Sequence, residues 1–235
     1  AGLGVFDAAG TPVHREGLWH LLNLTGDLMG LAGWGAFSGL MRIEEVRRAW
    51  MGSPGTGVLS WLDDFSAKFL PGSLEAAEEL LDLLQESQQT LRRAVKEALK
   101  WKKRLLEQPL EQACRAWLLE LYGKRQFQTE APGDRERLQI AWAWLAEVED
   151  VTCALRATRL SVSRQEEWML VMDRLSGGVL ESARGEVDLV LQGWLELLWE
   201  NAPALAVCGF NEENVPGVQL SHPFLPNSLR EKLGL

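Results

Sequence analysis

Cysteine and histidine are scarce in this chain, with three of each among 235 residues. Cys114, Cys153 and Cys208 are odd in number, far apart and set among apolar neighbours. That pattern fits buried thiols in a reducing cytoplasm better than a disulfide framework, and it fails the paired spacing of a zinc site. His14, His20 and His222 have no partner at ligand or triad spacing, so they read as ordinary surface or boundary residues. No metal site is expected. Long apolar runs are missing too: nothing approaches the roughly 20 residues of a membrane span. The opening AGLGVFDAAGTPVHREG has no basic stretch ahead of an apolar one, which excludes a signal peptide. It begins without Met and reads as the interior of a longer chain. The phosphate-cradling GxxxxGK[ST] pattern is absent, and the glycines of GLGVFDAAG follow no strand that would make them a nucleotide loop.

What is present is a globular composition, 46% hydrophobic and 24% charged, enough for one large domain or a domain with a fragment of another. The net charge of -9 argues against a protein that coats nucleic acid over its whole surface, while leaving room for a local basic patch.

Apolar residues recur at helical spacing over most of the chain. The spacing predicts a helix over about 15–32, a short one at Phe37–Met41, IEEVRRAWM ending at Gly52, and Val58 to Leu70 stopped by Pro71-Gly72. From Ser73 the pattern runs to Pro109, either as one helix of about 30 residues or as two joined near ESQQ. Leu110 to Tyr122 and Asp134 to about Ala157 follow, the latter burying Leu138, Ile140, Ala141, Trp144, Leu145 and Val148. Ser163 with Glu166 makes a capping box for a helix through Leu175.

After Gly177-Gly178 the texture changes. GEVDLVLQG alternates with a strand-like period, and Ala204–Cys208 reads as a short strand ahead of the turn GFNEENVPG. The expected organisation is a helical body over 1–184 and a small α/β piece with one or two strands over 185–235. Glu212 and Glu213 follow a strand, where acid/base groups often sit, but adjacent turn residues point apart and no third acid is placed to tune them. Asn211 and Asn214 suit the turn backbone. The loop therefore reads as structural, or as touching a ligand held mainly elsewhere, and no catalytic residue is assigned.

One basic cluster stands out, Arg92, Arg93, Lys96, Lys100, Lys102, Lys103 and Arg104, against Glu97 alone. At three- and four-residue steps Arg92, Lys96, Lys100, Lys103 and Arg104 share a side of a helix and could track a phosphate backbone. The competing reading is a solvated face that balances the acidic AAEELLDLLQE before it. Of eleven tryptophans most fall at core spacing; Trp101, embedded among lysines, is the candidate for stacking on an unpaired base.

Residues 194–235 carry a further pattern: Glu196, Gly209, Asn211, Glu212, Pro216, Pro223, Phe224, Leu225, Arg230, Leu233, Gly234 and Leu235. This stretch resembles the part of AddB-like and RexB-like proteins, and of related PD-(D/E)XK nuclease family proteins, in which a strand ends in G-L-N-E-G-x-x-P and leads into D-x-F-L and R-x-x-L-G-L. The segment AAGTPVHREGLWHLL is similar only in texture to the lead into that family's helical insertion. The resemblance implies an internal piece of a UvrD/RecB-type helicase-related protein of double-strand break repair and recombination. Its 1–184 would be a bundle-like insertion comparable to the 2B subdomain, and 185–235 would be the motif V region of a RecA-like domain. It implies DNA as a partner, a helicase/nuclease partner subunit, a cytoplasmic setting, and ATP and Mg for the parent rather than this piece. Arg92, Lys96, Lys100, Trp101, Lys103 and Arg104 would then meet DNA, with Asn211 and Glu212 on the interdomain or nucleotide side. Two departures stand against ATP-coupled function: Asn214 replaces a small residue, and Gln192-Gly193-Trp194 stands where active helicases carry a Lys-Gly-Leu-Glu type sequence. The alternative is a freestanding helical scaffold that binds proteins through apolar and Trp-rich faces.

Overall fold

A computed structural model of the chain describes residues 5–7, 10–31, 33–52, 57–84, 89–180, 189–191, 204, 206 and 207. The chain divides into two units, Ala1–Leu191 and Gln192–Leu235. The first is mainly helical. It opens with strands β1 (Val5–Asp7) and β2 (Thr11–Pro12) and a single 3-10 turn, Val13–Arg15. Nine helices follow among the described residues: α1 (Gly17–Leu28), α2 (Gly33–Arg42), α3 (Glu44–Met51), α4 (Val58–Phe69), α5 (Leu74–Leu83), α6 (Gln89–Glu107), α7 (Leu110–Tyr122), α8 (Pro132–Thr158) and α9 (Arg164–Ser176). Strands β3 (Val179–Leu180) and β4 (Leu189–Leu191) close the unit.

Local chemistry sets the helix ends where the sequence placed them. Ser73 accepts a hydrogen bond from the Ala76 N–H, and Ser163 and Glu166 form the reciprocal capping box that starts α9. Gly52, at φ +80°, ends α3 in a conformation that costs a side-chain-bearing residue more. The pattern from Ser73 to Pro109 resolves into two helices, α5 and α6, which pack against each other.

The core is aromatic. Trp34 of α2 meets Phe37, Phe37 stacks on Trp50 of α3, Trp50 meets Trp117 of α7, and Trp117 meets Trp101 of α6, with centroid separations of 4.8 to 6.0 Å. Each of these large side chains is buried and contributes on the order of 1.5–3 kcal/mol by leaving water. Trp34 donates to Ser66 Oγ at 3.1 Å, so its polar N–H is satisfied inside the core. Around this spine α1 packs on α2 and α9, α8 on α7 and α9, and α3 on α6 and α7.

The two ends of the helical body meet. Strand β1 runs parallel to β4, with Val5 opposite Leu189 and Asp7 opposite Leu191, and β2 runs antiparallel to β3. Val13 N–H extends the second pair by donating to Gly178 O at 3.0 Å. Gly10, at φ +71°, links β1 to β2 where a Cβ would lie 2.5 Å from Leu180 O, so only glycine lets the two backbones close. GLGVFDAAG therefore holds a strand itself, and the alternating GEVDLVLQG supplies its partner.

Two expectations are corrected. Ala204, Ala206 and Val207, read from sequence as strand, have no regular structure and are exposed. Cys114 is buried as expected, but Cys153 is exposed, because its apolar sequence neighbours occupy other faces of α8. Burial raises the Cys114 thiol far above its ordinary range, which keeps it protonated and inert. Cys208 and His222 lie outside the described residues.

Candidate nucleic-acid interface

Helix α6 separates into two arcs because one turn takes 3.6 residues. Leu91, Ala94, Val95, Ala98, Trp101 and Leu105 are buried, and the cations fall on the remaining side. The seven-residue basic cluster is not uniform, however, and the structure sorts its members by what each one touches.

Arg92 is a structural residue. Its Nη2 donates to the carbonyls of Leu81 and Leu84 at the end of α5, and its Nε lies 3.3 Å from Asp82 Oδ1, an ionic contact outside hydrogen-bond alignment. It satisfies the orphan carbonyls of a helix terminus, where a cation also meets the negative end of the dipole. Lys102 is likewise turned inward, its side chain 12% exposed. It donates to Glu75 Oε1 at 2.9 Å and to Gly30 O at 3.3 Å, which ties α6 to α5 and to the turn after α1. Partial burial pushes the Glu75 carboxyl up, but the hydrogen bonds and charge of Lys102, its own backbone and Ser73 outweigh that and hold it below the usual range.

Trp101 is corrected more sharply. It is 2% exposed, packed against Trp117 at 4.8 Å, with the Arg104 guanidinium 4.5 Å over its ring. No base can reach that face, so Trp101 is a core residue and Arg104 is its half-buried cover.

Lys96, Lys100 and Lys103 are exposed, and Arg93, part of the cluster but left out of the sequence-derived set of DNA contacts, is exposed with them. These four recur at steps of three and four along one stripe. Among the described residues Arg93, Lys96 and Lys103 make no ion pair, and Lys100 pairs only with Glu97 of its own helix, at 3.1 Å. Among the described residues the acidic α5 next door is paired with Arg92 and Lys102 alone. The stripe is thus four exposed cations, three lysines and one arginine, on one side of a helix, an arrangement able to neutralise phosphates without reading bases. Asn211 and Glu212 lie outside the described residues.

His14 and His20 are exposed, and among the described residues no group of three or more His, Cys, Asp or Glu side chains could hold a metal ion. No described helix is long and apolar enough to cross a membrane. No family model, curated protein or solved structure matches this chain.

Proposed function

We propose that this chain is a noncatalytic helical insert of a DNA-break-processing protein of the AddB/RexB kind, and that it holds DNA phosphates along the exposed face of α6. The observation that carries the DNA contact is the exposed stripe Arg93, Lys96, Lys100 and Lys103, none of which pairs with the neighbouring acidic helix among the described residues. The insert reading is supported by the pairing of β1 with β4, since a body whose first and last strands lie side by side can interrupt a parallel sheet. ATP and Mg belong to the parent in this reading, as does a helicase/nuclease partner subunit, and the cellular site is the cytoplasm.

The test is fluorescence anisotropy of labelled single-stranded and duplex-end oligonucleotides with the chain and with its Arg93/Lys96/Lys100/Lys103→Ala variant. Loss of binding in the variant supports the assignment, and equal binding overturns it. The reading frame on either side tests the family: a nucleotide-binding loop upstream and a carboxylate-and-Lys nuclease motif downstream are expected. A second reading, a protein-interaction scaffold, is favoured by the exposure of Trp142 and Leu119.

A further inference from the structure

Helix α8 carries two apolar stripes rather than one. Ile140, Trp144, Val148 and Val151 are buried against the body. Leu138, Ala141, Trp142 and Leu145 repeat at the same three- and four-residue spacing on an adjoining face, yet Trp142 is 69% exposed and the other three are only half-buried. The facing helix does the same: on α7, Leu118 and Tyr122 are half-buried and Leu119 is 70% exposed. Between them lies a groove of about 390 Å³ with Leu18 of α1 also in its lining. A second apolar face on a surface helix is unusual unless something covers it.

The charged residues in the lining of this groove are both basic, with acids only just outside it. Its lining contains two charged residues, Arg115 and Arg137. Arg115 is exposed and has no ion-pair partner among the described residues, while Arg137 shares Glu45 at 3.5 Å and Asp134 at 3.9 Å. Tyr122 stays neutral, because burial first and Glu45 second push its phenol up to about 12. Arg137 shares Glu45 with Arg125, whose backbone N–H donates to Tyr122 O, so Arg137 marks the Tyr122 end of the groove. Arg115 stands seven residues earlier on α7, about 10 Å along the axis at the rise of an α-helix.

We propose that the α7–α8 groove docks an amphipathic helix of a partner protein, whose apolar residues at i, i+3, i+4 and i+7 enter the groove and whose carboxylates at each end of that stripe meet Arg115 and Arg137. Two turns of partner helix span the two arginines, so the charge spacing and the apolar spacing agree. The apolar contacts supply affinity, and the arginines fix polarity and reject basic helices. The inference stands apart from the DNA reading, since no residue of α6 lines this groove.

The probe is a fluorescein-labelled helical peptide with Leu at i, i+3, i+4 and i+7 and Glu at both ends, compared with the same peptide carrying Lys at both ends. Anisotropy with the full chain is expected to show the Glu peptide binding at least about tenfold tighter. Arg115→Glu should reverse that order, and Leu119→Glu/Trp142→Glu should abolish binding of both. Because these three residues are exposed, circular dichroism and urea midpoint should be unchanged, which separates lost docking from lost folding. Equal affinity of the two peptides, an order that survives Arg115→Glu, or binding that survives the double variant overturns the proposal. So does sedimentation velocity showing a dimer of this chain that Leu119→Glu/Trp142→Glu dissociates, because the groove would then belong to a second copy.

Discussion

Trp117 Nε1 donates a hydrogen bond of 3.2 Å to Thr25 Oγ1, joining α7 to α1 across 92 positions of sequence. The Thr25 hydroxyl in turn donates to Leu21 O at 2.8 Å, so one buried oxygen serves as acceptor and donor together. Thr25→Val keeps the volume and removes the acceptor, leaving the indole N–H buried without a partner, which costs about 1–3 kcal/mol. Urea denaturation should show a lower midpoint with an unchanged slope. An unaltered midpoint would mean that water or another group satisfies Trp117.

A glycine sets the spacing of α1 against α9. A Cβ on Gly26 would come within 2.5 Å of Trp168 Nε1, in a ring that is itself buried and in edge contact with Trp144. Gly26→Ala should therefore destabilise the body by about 1–3 kcal/mol through overpacking, although alanine is the better helix former. Thermal unfolding by circular dichroism reads the sign directly; a raised Tm would show that α9 yields.

Glu75 gives the fold a measurable acid sensitivity. Its carboxyl is held below the ordinary value of 4.5 in the folded state. The ion pair with Lys102 therefore contributes in full above that value and fades as pH falls through the lower, folded one. Glu75→Gln should lower the urea midpoint slightly at pH 7, since the carboxylate is largely exposed and screened, and the difference should shrink as pH falls below 4.5 and the carboxyl takes up its proton. Parallel midpoints across that range would remove the Lys102 contact from the account.

The salt dependence of DNA binding measures how many cations of α6 take part. On single strands each neutralised phosphate contributes roughly 0.7 to the slope of log K against log salt, so removing four cations should flatten it by up to about 3. Arg92→Ala should instead lower stability, because Arg92 caps α5. A slope that drops with Arg92→Ala alone would reverse the assignment of structural and binding roles.

Much of the helical body was legible because caps and apolar periods are local. Ser73, the Ser163 and Glu166 box and the break after α5 all follow from residues within one or two turns. The site was less so. Trp101 sits among lysines in the sequence, but each residue turns 100° from the last, so adjacency in the chain placed it on the opposite arc, with Ala98 and Leu105. Arg92 looked like a member of a binding face because its partners, the carbonyls at the end of α5, are reached only after folding, and the inward turn of Lys102 toward Glu75 was hidden for the same reason. Strand β1 was missed for a different reason: three residues are too few to display a period, and its pairing partner lies at the far end of the helical body.

The parallel pairing of Val5–Asp7 with Leu189–Leu191 has a topological corollary. Seen from the strands, the nine described helices amount to one oversized crossover between neighbours that sit about 5 Å apart. In the proposed insert, such a link would transmit no net displacement to a sheet on either side of it. Helices of the body could then lengthen or shift while the paired strands hold its two ends at a fixed spacing.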